Sequence, residues 1–187
     1  VQAMGSMAFA MQSIDSATLA RLLAQKLGGA VTYLSAPGMA DSPEAAAVLR
    51  RQPDIQRALT IARSAQVALL GIGNLDPTRS SFVKAGFISA EELVALQQQA
   101  IVGDMGGQIF TQAGHVAEHT WNQRLIGLAL DDMKAIPLTM AVAAGLSKAA
   151  AIVGALRTEA VDVLCTDDET ARAIIGMATE ESKRLSD

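Results

Sequence analysis

The chain has 187 residues, half of them hydrophobic and only 3% aromatic, with a net charge of −4. That size fits one domain, or one with a small appendage, with a core of Ala, Val, Leu, Ile and Met. The acidic balance and lack of a basic run argue against this chain binding DNA, RNA or an anionic membrane by itself. No apolar stretch reaches the length of a membrane span, and no signal-peptide pattern opens the chain. The single Cys165 has no partner for an internal disulfide, so a reducing cytoplasm is the expected location.

Residues 1–4 read as a short apolar strand ending at Gly5-Ser6. With no helix or turn before it, the chain is expected to begin inside a larger protein. A helix is expected over residues 15–27, where Leu19, Leu22, Leu23 and Leu27 share a face and Gly28-Gly29 stop it. Residues 31–34 read as the next strand, followed by the turn Ala36-Pro37-Gly38. Ser42-Pro43-Glu44 is an N-cap with proline at the first helical position, opening a helix to about Arg51. Pro53 opens another, through Ile55, Ala58, Leu59 and Ala62. Residues 67–72 form a fully apolar strand closed by Gly71-Ile72-Gly73. A looser segment runs from Asn74 to Gly86. Ser89-Ala90-Glu91-Glu92 is a capping box for a helix ending near Gln99. The glycine-broken run from Ile101 to Phe110 reads as short strands, followed by the turn Gln112-Ala113-Gly114. Residues 131–136 make a brief helix before Pro137.

Residues 138–143 are almost continuously apolar, as in a parallel strand covered on both faces. The turn Ala144-Gly145 follows, then a helix with Ser147 as its expected N-cap. Lys148 falls in the first turn of that helix, where the dipole disfavours a cation. A bound anion removes the conflict; a solvated lysine also tolerates it. Residues 161–165 read as the last strand. Thr166-Asp167-Asp168-Glu169 is a second capping box, starting a helix to about Ala178, with a charged, fraying tail from Glu180. Strands alternating with helices imply an α/β fold, a Rossmann-like, mostly parallel sheet with flanking helices. Residues 101–136 break the alternation and are expected to form a small side lobe.

In such sheets ligands bind outside the carboxyl ends of the strands. Three ends carry small or polar residues: Gly71-Ile72-Gly73, Ala144-Gly145 with Lys148, and Thr166-Asp167. Gly5-Ser6 is a fourth. Amides and an ammonium suit a phosphate, and a carboxylate suits hydroxyls, so the set fits a phosphorylated sugar or polyol. Strand-end glycines also simply make turns, and Asp167 also reads as a plain N-cap. Gly71 and Gly73 lack the third glycine of a dinucleotide fingerprint. His115 and His119 are four apart but carry no helical signal, so no metal site is expected. Ser80 and Ser81 lack a nucleophile elbow. No cofactor is expected.

Several motifs in order resemble one family. They are Gly103-Asp104-Met105-Gly106-Gly107-Gln108-Ile109-Phe110, then Gly114, then Ala143-Ala144-Gly145-Leu146-Ser147-Lys148-Ala149-Ala150-Ala151-Ile152. Ala155-Leu156-Arg157 follows, then Val163-Leu164-Cys165-Thr166-Asp167-Asp168-Glu169-Thr170-Ala171. Ala36-Pro37-Gly38 and Gly71-Ile72-Gly73 also fit. Together they resemble the effector-binding domain of SorC-type bacterial transcriptional regulators, which include the sugar-binding regulators of sorbitol, deoxyribonucleoside and central glycolytic operons. The likeness covers nearly the whole chain.

The resemblance implies a fold similar to sugar-phosphate isomerases of the glucosamine-6-phosphate deaminase type, acting as a ligand sensor rather than an enzyme. It implies a phosphorylated sugar or polyol as effector, a dimer or tetramer, and operator DNA reached through a separate N-terminal helix-turn-helix. Residues 1–187 would then be the effector-binding domain, shortened at its start. Lys148 would lie in the ligand crevice with Asp104, Gln108 and Asp167. The family's opening strand and its glycine/threonine-rich phosphate loop are represented here only by Gly5-Ser6, and Ala144 stands where a glycine is usual. The rival reading is an isomerase- or aldolase-like enzyme, with Lys148 as acid/base or Schiff-base group and Asp167 or Asp104 as proton partner.

Overall fold

The computed structural model describes residues 1–7 and 16–184. Local signals place several helices where the sequence predicts them. Helix α1 spans Ser16–Leu27; the expected start at Asp15 lies outside the described residues. Helix α2 (Pro43–Arg50) opens with Pro43, and the Ser42 side chain accepts the Ala45 N–H. Helix α3 (Pro53–Arg63) buries Ile55, Ala58, Leu59 and Ala62 on one stripe.

Five strands make one sheet in the order β3-β2-β1-β4-β5. Their ranges are β1 Val67–Asn74, β2 Ile101–Met105, β3 Gln108–Thr111, β4 Leu138–Val142 and β5 Val163–Cys165. Strands β1, β4 and β5 are parallel, with Val67 opposite Leu138 and Met140 opposite Val163. The β2–β3 hairpin pairs antiparallel with the last residues of β1, with Ile72 opposite Met105 and Gly73 opposite Asp104. Residues 101–136 are therefore not a separate lobe, because their hairpin extends the main sheet. They do share a second hydrophobic cluster, with Phe82, Leu93, Leu96, Ile109 and Trp121 among its members.

Two short helices and one longer one support that cluster, and one more short helix packs into the main core. Helix α4 (Ser81–Lys84) falls in the stretch expected to be loose, and the Ser80 hydroxyl caps it. Helix α5 (Ala90–Gln97) carries the complete Ser89–Glu92 capping box. Helix α6 (Thr120–Arg124) is capped by His119, whose Nδ1 accepts the Trp121 N–H at 3.1 Å. Helix α7 (Leu130–Lys134) buries Leu130 and Met133. Among the described residues no cluster of His, Cys, Asp and Glu could hold a metal, and no helix is long and apolar enough to cross a membrane.

The chain then passes β4 into a 3-10 turn, Leu146–Lys148, and helix α8, Ala149–Arg157. Ser147 is not the N-cap. Gly145, at φ 105°, turns the chain two residues earlier, and Lys148 itself occupies the α8 cap position. The second expected capping box does not form, and the N-cap is displaced by one residue. Helix α9 runs from Asp168 to Arg184 and is capped by Asp167, whose Oδ1 accepts the Thr170 N–H at 2.8 Å. The helix expected to end near Ala178 extends to Arg184.

Two expected strands lack regular ladders. Residues 1–4 and 31–34 lie side by side, with Gln2 N–H donating to Thr32 O at 2.9 Å and Ser6 N–H to Ala36 O at 2.8 Å. Residues 1–4 make one isolated bridge, Met4 with Gly127, and residues 31–34 make none. A strand needs a row of partners, and these two offer each other only a few. Helix α1 also departs from expectation: none of its residues is buried, and Leu19 and Leu27 are exposed.

Candidate functional site

The carboxyl end of β1 lies between β4 on one side and strand β2 of the hairpin on the other. Gly73 and Asp104 face each other across the antiparallel pair. A Cβ on Gly73 would collide with Asp104 Oδ1, so only glycine lets the carboxylate lie against this backbone. Asp104 also takes a hydrogen bond from the Gly107 N–H. Burial pushes its carboxyl up to a pKa of about 6, while the Gly107 bond and the charge of Lys148 pull it down.

Lys148 approaches from the other side. Its half-buried side chain crosses from the start of α8 to β1, and Nζ donates to Ile72 O at 2.8 Å. One acceptor leaves an ammonium two further donors. The Asn74 side-chain amide reaches back the other way and donates to Ser147 O at 2.9 Å. The lysine turn is thus fastened to the end of β1 at two points.

Asp167 holds the third strand end in place. Its Oδ2 accepts from Gly145 N–H at 2.9 Å and from the buried Thr170 hydroxyl at 2.7 Å. Thr170 Oγ1 lies 2.8 Å from the same Gly145 nitrogen. Hydrogen bonds from Thr170, and then from Gly145, hold the Asp167 carboxyl below its usual pKa. Asp167 therefore joins the β4 turn to the start of α9, which the N-cap reading alone did not foresee.

The other expected residues fall differently. Gly71 lies on β1 and Gly145 at the β4 turn, both with open space where a Cβ would stand. Gln108 starts β3, and its side-chain oxygen accepts the Leu130 N–H at 2.5 Å, fixing the start of α7. Gly5 and Ser6 pack on the Ala36-Pro37-Gly38 turn, where a Cβ on Gly5 would collide with the Pro37 carbonyl. The site is thus centred on Asp104, Lys148, Gly73 and Gly107.

Sequence reasoning missed two residues. Trp121 Nε1 donates to Gly107 O at 2.8 Å and packs edge-on against Phe82, with ring centroids 4.6 Å apart. Its place as the chain's single tryptophan was visible, but its contact across fourteen residues was not. Thr166 was read as a cap; instead its Oγ1 is buried without a hydrogen-bond partner.

Comparison with known proteins bears on the family and the fold. Residues 1–176 match the family model described as "Putative sugar-binding domain". The chain is 32% identical over 150 residues to the transcriptional regulator LsrR of Enterobacter sp. (strain 638), covering 79% of this chain and 46% of that protein. It is 29% identical over 175 residues to the deoxyribonucleoside regulator of Bacillus subtilis, covering 94% of this chain and 55% of that protein. The chain thus spans about half the length of these curated relatives. Among solved structures, the sugar-binding domain of a transcriptional repressor from Vibrio fischeri superposes with a TM-score of 0.83 at 36% identity. That match covers 94% of this chain and 70% of that one. The full-length sorbitol operon regulator SorC of Klebsiella pneumoniae shares the fold, with a TM-score of 0.76 at 20% identity over 84% of this chain and 51% of that one. The chain belongs to the sugar-binding domain family of SorC/DeoR-type transcriptional regulators.

Proposed function

We propose that this domain senses a phosphorylated sugar or polyol in the cytoplasm and passes the signal to a DNA-binding part of the full-length regulator. The observation that carries the reading is that Lys148 and Asp104 both reach the end of β1, with Lys148 close enough for its charge to lower the Asp104 pKa. The ammonium retains donors for a phosphate, and the positive end of the α8 dipole lies beside it. Asp104 can accept from, or when protonated donate to, a sugar hydroxyl. Gly145 lets a ligand approach backbone, Gly73 seats the Asp104 carboxylate, and Asp167 sets the angle of the β4 turn. Gly71, Gln108, Gly5 and Ser6 serve the frame around this centre.

Differential affinity for two arrangements of subunits is what lets an effector act on DNA binding. The domain is accordingly proposed to self-associate. The relatives' description as regulators supports a sensor over an isomerase, although Asp104's raised pKa beside Lys148 is also what proton transfer would use. A thermal-shift panel of sugar phosphates, free sugars and polyols tests the reading. Ligand at 100 times its dissociation constant stabilises the fold by about 2.7 kcal/mol. Stabilisation by phosphorylated compounds without turnover supports the sensor; turnover of the stabilising compound assigns an enzyme.

A further inference from the structure

β4 stops at Val142, and its pairing with β1 ends at Gly71. β1 runs on to Asn74, held on its other side by β2. From Ile72 onwards, therefore, no described strand lies beside β1 on the β4 side. Ile72 is buried, so its carbonyl still needs a donor. Lys148 supplies it, with Nζ at 2.8 Å from Ile72 O.

Asn74 answers from the strand. Its Nδ2 donates to Ser147 O at 2.9 Å, while its Oδ1 accepts the Asp76 N–H at 3.4 Å. The second bond fixes which end of the amide faces the lysine turn. The two links across the opening are crossed: a side chain from each segment donates to a backbone carbonyl of the other. An asparagine that served only to end a strand would turn its amide to water. This one is half-buried and bonded at both ends.

The turn is held on either side of Ser147 as well. At its start, Gly145 N–H lies on Asp167 and Thr170. Beyond it, Ala151 of α8 packs on Gly103, where an added Cβ would lie 2.7 Å from the Ala151 Cβ. Gly103 is the partner of Asn74 across the β1–β2 pair. Ser147, the residue just before Lys148, is tied to the sheet by Asn74. Lysine carries its charge on a long flexible stem. One donor on Ile72 O leaves the direction of the other two to the position of the Lys148 backbone, which the turn sets.

We propose that Asn74 is a positioning residue for the effector's phosphate: by holding Ser147 O it fixes the turn that aims the free donors of Lys148. The proposal rests on the sensor reading above and adds to its anion site a residue that does not touch the anion. Supporting hydrogen bonds of this kind decide how precisely a binding group is held.

The test uses the full-length protein, inorganic phosphate at constant ionic strength as the probe, and a double-mutant cycle of Asn74→Leu with Lys148→Met. Leucine keeps the bulk of asparagine and removes the donor. Phosphate affinity should fall about threefold to tenfold in Asn74→Leu, the worth of one hydrogen bond. In the Lys148→Met background, Asn74→Leu should change nothing further. The ammonium nitrogen NMR signal of Lys148, assigned by its absence from Lys148→Met, should be resolved in the parent and broadened by exchange with water in Asn74→Leu. A role confined to stability would lower the melting point without this coupling or this signature. Should Asn74→Leu not fold, Asn74→Ser, whose hydroxyl falls one atom short of Ser147 O, takes its place in the cycle. Unchanged affinity in the Asn74 variant, with a clear loss in Lys148→Met, overturns the role of Asn74 and leaves the sensor reading standing. An equal fall from the Asn74 change in both backgrounds overturns it too. Phosphate that binds the parent and Lys148→Met alike, or binds neither, removes the sensor's anion site and the role of Asn74 with it.

Discussion

Lys148 Nζ and Ile72 O meet at 2.8 Å although 76 residues separate them in sequence. The bond places a cation at the end of a strand whose next residue, Gly73, opposes Asp104. The lysine that looked misplaced at a helix start is thus held by β1, and the field of Asp104 offsets the helix dipole it opposes.

Asp104 gives a pH prediction. Its folded pKa of about 6 lies above the ordinary 3.8. A raised carboxyl binds its proton more tightly in the folded state, so the stability it contributes is complete below about 3.8. That stability is lost as pH rises through about 6. Asp104→Asn should therefore stabilise the free domain at pH 7.5, by at most about 3 kcal/mol, with the gain vanishing near pH 4. Urea melts at the two pH values check this. The same variant should lose effector binding, the usual conflict of stability with a charged site.

Gly73→Ala tests close approach. Its methyl would strike Asp104 Oδ1. The expected cost is about 1–3 kcal/mol from overpacking, with weakened effector binding. A variant as stable as the parent and with unchanged affinity would show that Asp104 does not rest on this backbone.

Trp121 buttresses the same aspartate through Gly107. Trp121→Phe keeps the aromatic body against Phe82 but leaves Gly107 O without its indole donor. A loss of about 1–3 kcal/mol in chemical denaturation is expected. Effector affinity should fall severalfold, since the turn that donates to Asp104 loosens.

Thr166→Val should cost nothing. The Thr166 hydroxyl is buried without a partner, so removing it removes a desolvation penalty while the shape stays. An unchanged or higher melting midpoint is expected; a clear fall would reveal a partner for Oγ1.

Much of this was legible in local sequence, and what was not has a physical pattern. Ser42, Pro43, Ser89 and Glu92 act within four residues of themselves, and each cap or helix start appears where read. The parallel strands β1, β4 and β5 were visible as apolar runs. Ser147 and Thr166 failed because a cap depends on where the backbone turns, and Gly145 and Asp167 set those turns instead. The strands expected at residues 1–4 and 31–34 carry the right residues but lack a full row of partners, which no local pattern can supply. At the site, Lys148 was legible from its conflict with the helix dipole. The Gly73–Asp104 apposition was not, because it depends on the register of an antiparallel pair far apart in sequence.

The most direct measurement is a titration of sugar phosphates followed by Trp121 fluorescence, comparing the parent with Lys148→Met. Trp121 is the only tryptophan and contacts the Gly107 turn, so its emission reports on the site. A saturable change with a phosphorylated compound is predicted in the parent. Affinity should be weakened roughly 10- to 100-fold in Lys148→Met, as when a charge-assisted bond is lost. Equal affinity in the two proteins would contradict the account.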